Sequence, residues 1–289
     1  LAKETKVCAE FSHHISAFWL PSYRRKTLET GSVGAGFLIS PVAKSCYPSE
    51  SFPFKSKPKQ ITAIERILGL RESIPFSYKD PLPHSVGYSV SATLSLSYSF
   101  ASLMHISGKP TIGEICRLAH IADVKSGTGL GDVSAICGGR GVVLRLTPGA
   151  PGYSVVDSIV TDLEKYTVIT SVISKMSTSV MLRRLADSLE SEGTRAYEEF
   201  LSDPSIEKLV ELGRSFSMRV GMMSEELDRE LSSILKKQDP LGYFVKKGLV
   251  VVVADKGETD SIYENMKAKF GNARKHRIME EGLRIRFNQ

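Results

Sequence analysis

Near residues 162–165 the chain changes texture, and that change limits its folds more than any other feature. Before it, short β-like runs alternate with Gly-rich turns. Residues 6–11 and 36–40 read as strands, with a hairpin or loop excursion between them. Residues 45–60, rich in Ser, Pro and Lys, read as an exposed loop, and Ile61, Ile64 and Leu68 carry helical spacing over 61–70. A long helix is expected over 89–105, and a second over 111–123, opening on the capping-box pattern Thr111-Ile112-Gly113-Glu114. Residues 142–146, 153–160 and 166–173 are strand candidates. After the break, helices are expected at 178–200, at 203–220 with Asp203 as cap and Pro204 at the first helical position, and at 224–237. A buried-type strand at 249–253, a helix at 259–270 and a last strand at 283–287 follow. Two strand–helix–strand passes of this kind suggest a ferredoxin-like unit with one strand not evident. No internal repeat is present.

Composition narrows the function classes. The 289 residues, 42% hydrophobic and 24% charged, suit a globular protein with one large or two modest domains. The longest apolar run, residues 249–254, is far below the roughly 18 residues of a membrane span. The opening LAKETKV has no apolar core, unlike a secretory signal. Cys8, Cys46, Cys116 and Cys137 form no C-x-x-C pair, which argues against a disulfide framework or zinc site and for a reducing cytoplasm. The net charge of +6 is spread out, and the clusters at 24–26, 55–59 and 274–277 lack interleaved aromatics. A nucleic-acid partner is therefore not favoured, whereas a mild positive field also draws ATP and carboxylate substrates.

Two segments carry chemistry. Pro83-His84-Ser85-Val86-Gly87-Tyr88-Ser89-Val90-Ser91-Ala92-Thr93 opens the long helix. Gly and small hydroxyl residues at a helix start let backbone N–H groups approach a phosphate, and a hydroxyl there can ligate Mg²⁺. The alternative is a plain loop with an N-capping Ser; the Gly-Lys-Ser/Thr of a Walker loop is absent. Gly127-Thr128-Gly129-Leu130-Gly131-Asp132, followed by Gly138-Gly139, places a carboxylate after a Gly-rich turn. Asp132 there either orients or deprotonates a substrate hydroxyl, or simply caps a short helix. His120 and Asp123 share one face at the end of the preceding helix, as site residues or as a capping cation and a surface charge.

Together these residues resemble the GHMP kinases, whose phosphate motif reads P-x-x-x-G-L-G-S-S-A-A; Pro83, Gly87, Ser91 and Ala92 match it in register. Within that superfamily the chain is most similar to the archaeal pantoate kinases. The resemblance rests on His14 to Trp19, Gly31-Ser32-Val33-Gly34-Ala35-Gly36, Ala119 to Asp123, Gly127 to Val133 and Pro148 to Pro151. It implies an α+β fold, with a ribosomal-S5-like ATP-binding domain over 1–163 and a ferredoxin-like domain over 164–289. It also implies a cytoplasmic ATP- and Mg²⁺-dependent kinase for pantoate, compatible with a homodimer, with neither membrane nor nucleic acid as partner.

The resemblance assigns roles residue by residue. Pro83, Ser85, Gly87, Ser89, Ser91 and Ala92 would surround the ATP phosphates, Ser91 and Asp123 would hold Mg²⁺, and Asp132 would act on the attacking hydroxyl. Ser32, His120 and Arg145 would contact pantoate, since a guanidinium and an imidazole suit a carboxylate with neighbouring hydroxyls. Arg140 is the alternative to Arg145. The chain departs from the pattern at Ser89 and Val90, where the motif has Gly and Ser, and at Asp123, where it has Glu. Of the third Gly-rich motif only Gly242 stands near its place. Rival readings are a GHMP kinase for homoserine or mevalonate, and a metabolite sensor without turnover.

Overall fold

The computed structural model describes residues 6–287, except the side chains of residues 184, 186 and 187. Residues 1–5 of the stretch read above against a secretory signal lie outside it. The chain opens with β1 (Val7–Ser22) and β2 (Gly31–Tyr47), an antiparallel pair in register from Val7↔Tyr47 to Ser22↔Gly31. The segment expected as a hairpin or loop excursion is a hairpin: β1 runs on to Ser22, residues 23–30 turn the chain, and β2 starts at Gly31. Its period-2 signal is missing because both faces of the hairpin are covered. One face packs Phe11 and Leu38 against Ala92, Leu96 and Phe100, while the other packs Phe18 and Trp19 against Phe200 and Phe216. Register shifts after Phe11 and after Ser16 mark irregularities that re-aim the side chains of the intervening His13–Ser16 stretch.

The loop expected over 45–60 is shorter: β2 runs on to Tyr47, and α1 (Lys59–Leu68) already includes Lys59 and Gln60. After β3 (Ser77–Lys79) come α2 (Val90–Ser107), α3 (Ile112–Ser126), α4 (Asp132–Gly138), β4 (Val142–Arg145) and β5 (Val156–Ile159). The capping box of α3 forms as expected: the Thr111 hydroxyl accepts from Glu114 N, and the Glu114 carboxylate accepts from Thr111 N at 2.7 Å. The second half contains β6 (Tyr166–Val172), α5 (Thr178–Arg184), α6 (Ala186–Ser202), α7 (Ile206–Arg219), α8 (Glu225–Leu235), β7 (Gly242–Lys246), β8 (Leu249–Asp255), α9 (Thr259–Phe270), β9 (Arg274–Arg277) and β10 (Leu283–Phe287). The helix expected over 178–200 breaks at Leu185. Ser205, not Asp203, caps α7, because its hydroxyl accepts from Lys208 N and leaves Pro204 outside the helix.

Among the described residues the first sheet runs β10-β1-β2-β4-β5 with β3 on β2, and the second runs β7-β8-β6-β9. The strand that was not evident is supplied twice over. β7 has an apolar run of only three residues, Tyr243 to Val245, and β9 reads Arg-Lys-His-Arg with only His276 buried, so neither stands out as a strand. The last strand, expected in the ferredoxin-like half, instead returns to the first sheet and pairs Phe287 with Val7. Helices α6 and α7 pack on β1 through edge-to-face pairs, Phe18 with Phe200 at 5.3 Å and Trp19 with Phe216 at 5.1 Å. Each such buried aromatic contributes about 1.5–3 kcal/mol by burial, and the two halves share one core.

The cysteine reading is corrected. Cys8 is bonded to Cys46 and Cys116 to Cys137. Cys8 and Cys46 lie directly opposite on β1 and β2, and Cys116 on α3 meets Cys137 on α4. Linear spacing hides both pairings, since sheet register and helix packing create them.

Candidate active site

The turn before α2 is built from unusual backbone. Ser85, Gly87 and Ser89 have φ of 64°, 124° and 58°. A side chain on Gly87 would stand 2.9 Å from the Lys246 carbonyl, so this turn lies directly on the β7–β8 hairpin. Ser89, expected at the phosphates, spends its hydroxyl inside the protein: it donates to the Tyr88 carbonyl and accepts from His14 N at 2.7 Å. The second half pins the turn as well, through Met176 N to the Ser85 carbonyl (2.8 Å) and Tyr88 Oη to Thr170 (2.6 Å). Ser91 lies in the first turn of α2, half-buried, with its hydroxyl donating to the Thr128 carbonyl at 3.3 Å. Ala92 is buried beneath it.

Thr128 joins this turn to Asp123. Its hydroxyl donates to Asp123 Oδ1 at 2.7 Å, and Ser95 donates to the same oxygen at 3.2 Å. Asp123 Oδ2 is buried with no hydrogen-bond partner, against the bare Cα of Gly129, where any Cβ would collide with it. Burial raises the Asp123 pKa to about 7. An unpaired carboxylate oxygen, linked through Thr128 to the helix-start hydroxyl of Ser91, suits a hard cation that takes most of its other ligands from phosphates and water. Among the described residues no group of three His, Cys, Asp or Glu is placed to hold a metal ion.

Asp132 opens α4 and sits among cations. Its Oδ1 accepts from His14 Nδ1 at 2.8 Å and lies 3.6 Å from Lys246 Nζ. Burial alone would raise its pKa, but Lys246 and the His14 hydrogen bond outweigh this and hold the carboxyl well below the usual range. His14 is itself held neutral by burial, which lowers its pKa to about 4. Arg145, the last residue of β4, is 1% exposed. It donates to the Ser32 carbonyl at 3.3 Å and to Ser16 Oγ at 3.4 Å, and it faces His14 Nε2 at 3.3 Å. Burial lowers its pKa to about 10, so it remains charged at neutral pH. Among the described residues no carboxylate forms an ion pair with it.

Two small cavities meet here. One, of about 120 Å³, is walled by the phosphate turn, Ser91 and Thr128; the other, of about 40 Å³, by Ser16, Ser32, Gly131 and Arg145. Asp132, Thr178, Lys246 and Lys247 line both and so form the partition. Of the residues expected from sequence, Ser85, Gly87, Ser89 and Ser91 border the first cavity, Ser32 and Arg145 the second, and Asp132 both. Pro83 borders neither, and Asp123 approaches from below through Thr128. His120 is also absent from both linings: its Nε2 donates to the Thr30 carbonyl at 2.9 Å and fixes the approach to Ser32. Arg140 is exposed, which leaves Arg145 as the buried guanidinium. Sequence reasoning gave no role to His14, Lys246, Lys247 or Thr178. The only sign of the lysines was a Lys-Lys-Gly turn between the apolar runs Tyr243 to Val245 and Leu249 to Val253.

No family model matches the chain. A curated pantoate kinase of Thermococcus kodakarensis is 31% identical over 270 residues, covering 84% of this chain and 86% of the relative. The chain belongs to the pantoate kinase family. A second pantoate kinase, from Methanospirillum hungatei, is 26% identical with 99% of this chain and 98% of the relative covered. Among solved structures, a "Phosphotransferase related to CoA biosynthesis pathway" superposes with a TM-score of 0.82 at 22% identity, over 98% of this chain and 99% of that one. A mevalonate kinase structure does so at 0.67 and 13%, over 95% and 99%, as expected of the two-domain GHMP kinase fold that pantoate kinases share. No helix among the described residues is long and apolar enough to cross a membrane.

Proposed function

We propose that the protein transfers the γ-phosphoryl group of ATP to the terminal hydroxyl of pantoate, giving 4-phosphopantoate for coenzyme A synthesis. The observation that carries this reading is the partition: Asp132 and two lysines stand between a phosphate-type turn and a cavity ended by a buried guanidinium that has no carboxylate ion pair among the described residues. Lys246 and Lys247 outnumber Asp132 within that partition, and Arg145 adds a further positive charge on the acceptor side, an excess that suits anions on both sides. In this reading Ser32 and Arg145 hold the pantoate carboxylate and its neighbouring hydroxyl, and His120 positions the strand that carries Ser32. The phosphate turn, from Pro83 to Ala92, receives the triphosphate, with Ser91 as its hydroxyl ligand.

Ser91 and Asp123 would hold Mg²⁺, which neutralises phosphate charge when bound. Asp132 orients the attacking hydroxyl. The new bond forms between that oxygen and the γ-phosphorus as the γ-phosphorus bond to the β-phosphate oxygen breaks. Phosphoryl transfer of this kind has a loose transition state, so the hydroxyl proton leaves late, when the oxygen has become acidic enough for even a weakly basic carboxylate to accept it. Asp132 then returns the proton to solvent as ADP leaves. The cytoplasm, where ATP is available, is the proposed compartment. The working domain border is 163/164, with the last strand of the second segment returning to the first sheet.

The test is coupled ADP release with Mg²⁺ and a panel of pantoate, pantothenate, homoserine and mevalonate. Pantoate alone is expected to drive turnover. Equal or faster turnover with another alcohol would reassign the acceptor and leave the fold standing.

A further inference from the structure

We infer that Lys247 is a catalytic residue, the cation that clamps the transferring phosphoryl group, while its neighbour Lys246 serves Asp132. The inference rests on the kinase reading above and assigns residues that reading leaves without a role.

Successive side chains of a strand point to opposite faces. Lys246 ends β7 and Lys247 follows it, yet both line both cavities. The alternation is broken by Lys247 itself, a non-Gly residue with φ of 57°. A left-handed conformation of this sort costs on the order of 1–2 kcal/mol, and such strain gathers where a side chain must be aimed. The hairpin cannot relax it by tilting away, because the Gly248 carbonyl accepts from Ile173 N at 2.8 Å and from Ser174 N at 3.3 Å. The fold thus holds two ammonium groups side by side in a half-enclosed site. Burial and the charge of Lys246 lower the Lys247 pKa to about 8, so their placement costs stability.

The two ammonium groups have different partners. Lys246 Nζ lies 3.6 Å from Asp132 Oδ1 and is nearly buried. Lys247 Nζ donates to Thr178 Oγ1 at 2.7 Å, and Thr178 in turn donates to the Thr128 carbonyl at 2.7 Å, the same carbonyl that receives the Ser91 hydroxyl. Lys247 is therefore tied by one N–H to the frame of the phosphate site. An ammonium has three N–H donors, which leaves two for the space between the phosphate turn and Asp132. That space is where the γ-phosphoryl group passes from one oxygen to the other, with charge spread over its equatorial oxygens. Lys246, engaged with the carboxylate, instead keeps Asp132 ionised and in place.

Steady-state kinetics on Lys247→Met, Lys247→Arg and Thr178→Val tests the assignment. Removing one preorganised cation is expected to lower kcat roughly 10²–10³-fold. The KM for pantoate should stay within about threefold, and Lys247→Arg should recover at least about a tenth of the lost rate. Thr178→Val removes the tether but keeps the ammonium, so it should lose far less than Lys247→Met. A Lys247→Met enzyme within about threefold of wild-type kcat overturns the assignment. So does a Thr178→Val enzyme as impaired as Lys247→Met, which would mark a structural tether. If wild-type protein ignores pantoate, the acceptor reading alone fails, and calorimetry of a non-hydrolysable ATP analogue against ADP decides Lys247. Loss of roughly tenfold in analogue affinity with ADP unchanged upholds the clamp, and equal binding by both proteins overturns it. If Lys247→Met does not fold, Lys247→Gln replaces it in the same measurements.

Discussion

His14 and Asp132 are joined by a 2.8 Å hydrogen bond from the imidazole Nδ1 to the carboxylate Oδ1, in which the neutral ring can act only as donor. Its other nitrogen is therefore an acceptor, and Arg145 lies 3.3 Å from it. One buried side chain thus links the group that acts on the hydroxyl to the group that holds the acceptor's carboxylate. The ring is placed by the irregular register of β1 between Phe11 and Phe18.

Both bonds can be separated by substitution. His14→Asn keeps a donor close to the Nδ1 position, whereas His14→Gln carries its amide further out, near the Nε2 position. His14→Ala should lower kcat and raise the KM for pantoate together. Asn should restore kcat more than KM, and Gln the reverse. If Asn and Gln behave alike, His14 acts by packing alone and the link between the two sites is broken.

Asp123 yields a prediction for stability in magnesium-free, chelated buffer. Its folded pKa of about 7 lies above the ordinary 3.8. Between these values the folded protein binds a proton that the unfolded chain has released, so this group's contribution is fully present at low pH and is lost as pH rises towards 7. The slope is at most about 1.4 kcal/mol per pH unit for one proton. His14 and His276, whose pKa values burial lowers to about 4, work in the opposite sense below the ordinary 6.5. The informative quantity is therefore the difference between wild type and Asp123→Asn, which leaves the histidines unchanged. The melting temperature of the variant should gain on wild type from pH 4 to 7 and hold its advantage above, while turnover collapses. Magnesium with ATP should narrow the gap. A difference that does not vary with pH would mean that Asp123 is not protonated by burial.

The helices and the Gly-rich turns were legible because their signals are local. The capping box at Thr111, the spacing in α1 and the turn that ends at Asp132 can each be read within a dozen residues. What the sequence hid depends on long-range packing. β1 shows no alternation because it is covered on both faces, β9 is basic with a single inward His276, and β10 joins a strand far away in the chain. The same holds for the site. Ser91 and Asp132 stand in recognisable motifs, but Lys247 gains its position from a single left-handed residue at a hairpin turn. The disulfides were missed for a like reason, since partners 38 and 21 residues apart meet only through sheet register and helix packing.

Asp132 and Arg145 should separate chemistry from recognition. Asp132→Asn keeps the shape and loses the charge, and it should lower kcat by roughly 10²–10⁴-fold with the pantoate KM little changed. Because Lys246 and His14 hold the Asp132 pKa far below neutrality, the wild-type rate should show no acidic limb from this group between pH 5 and 8. Arg145→Ala removes the buried guanidinium that has no carboxylate among the described residues. It should raise the pantoate KM strongly and leave the KM for ATP nearly unchanged. It also strips Asp132 of one nearby positive charge and His14 of its second contact, so a modest fall in kcat should accompany the binding loss. Varying each substrate in turn for both enzymes distinguishes the roles. An Arg145→Ala enzyme that weakens ATP and spares pantoate would place the acceptor's carboxylate elsewhere, and the 40 Å³ cavity would lose its assignment.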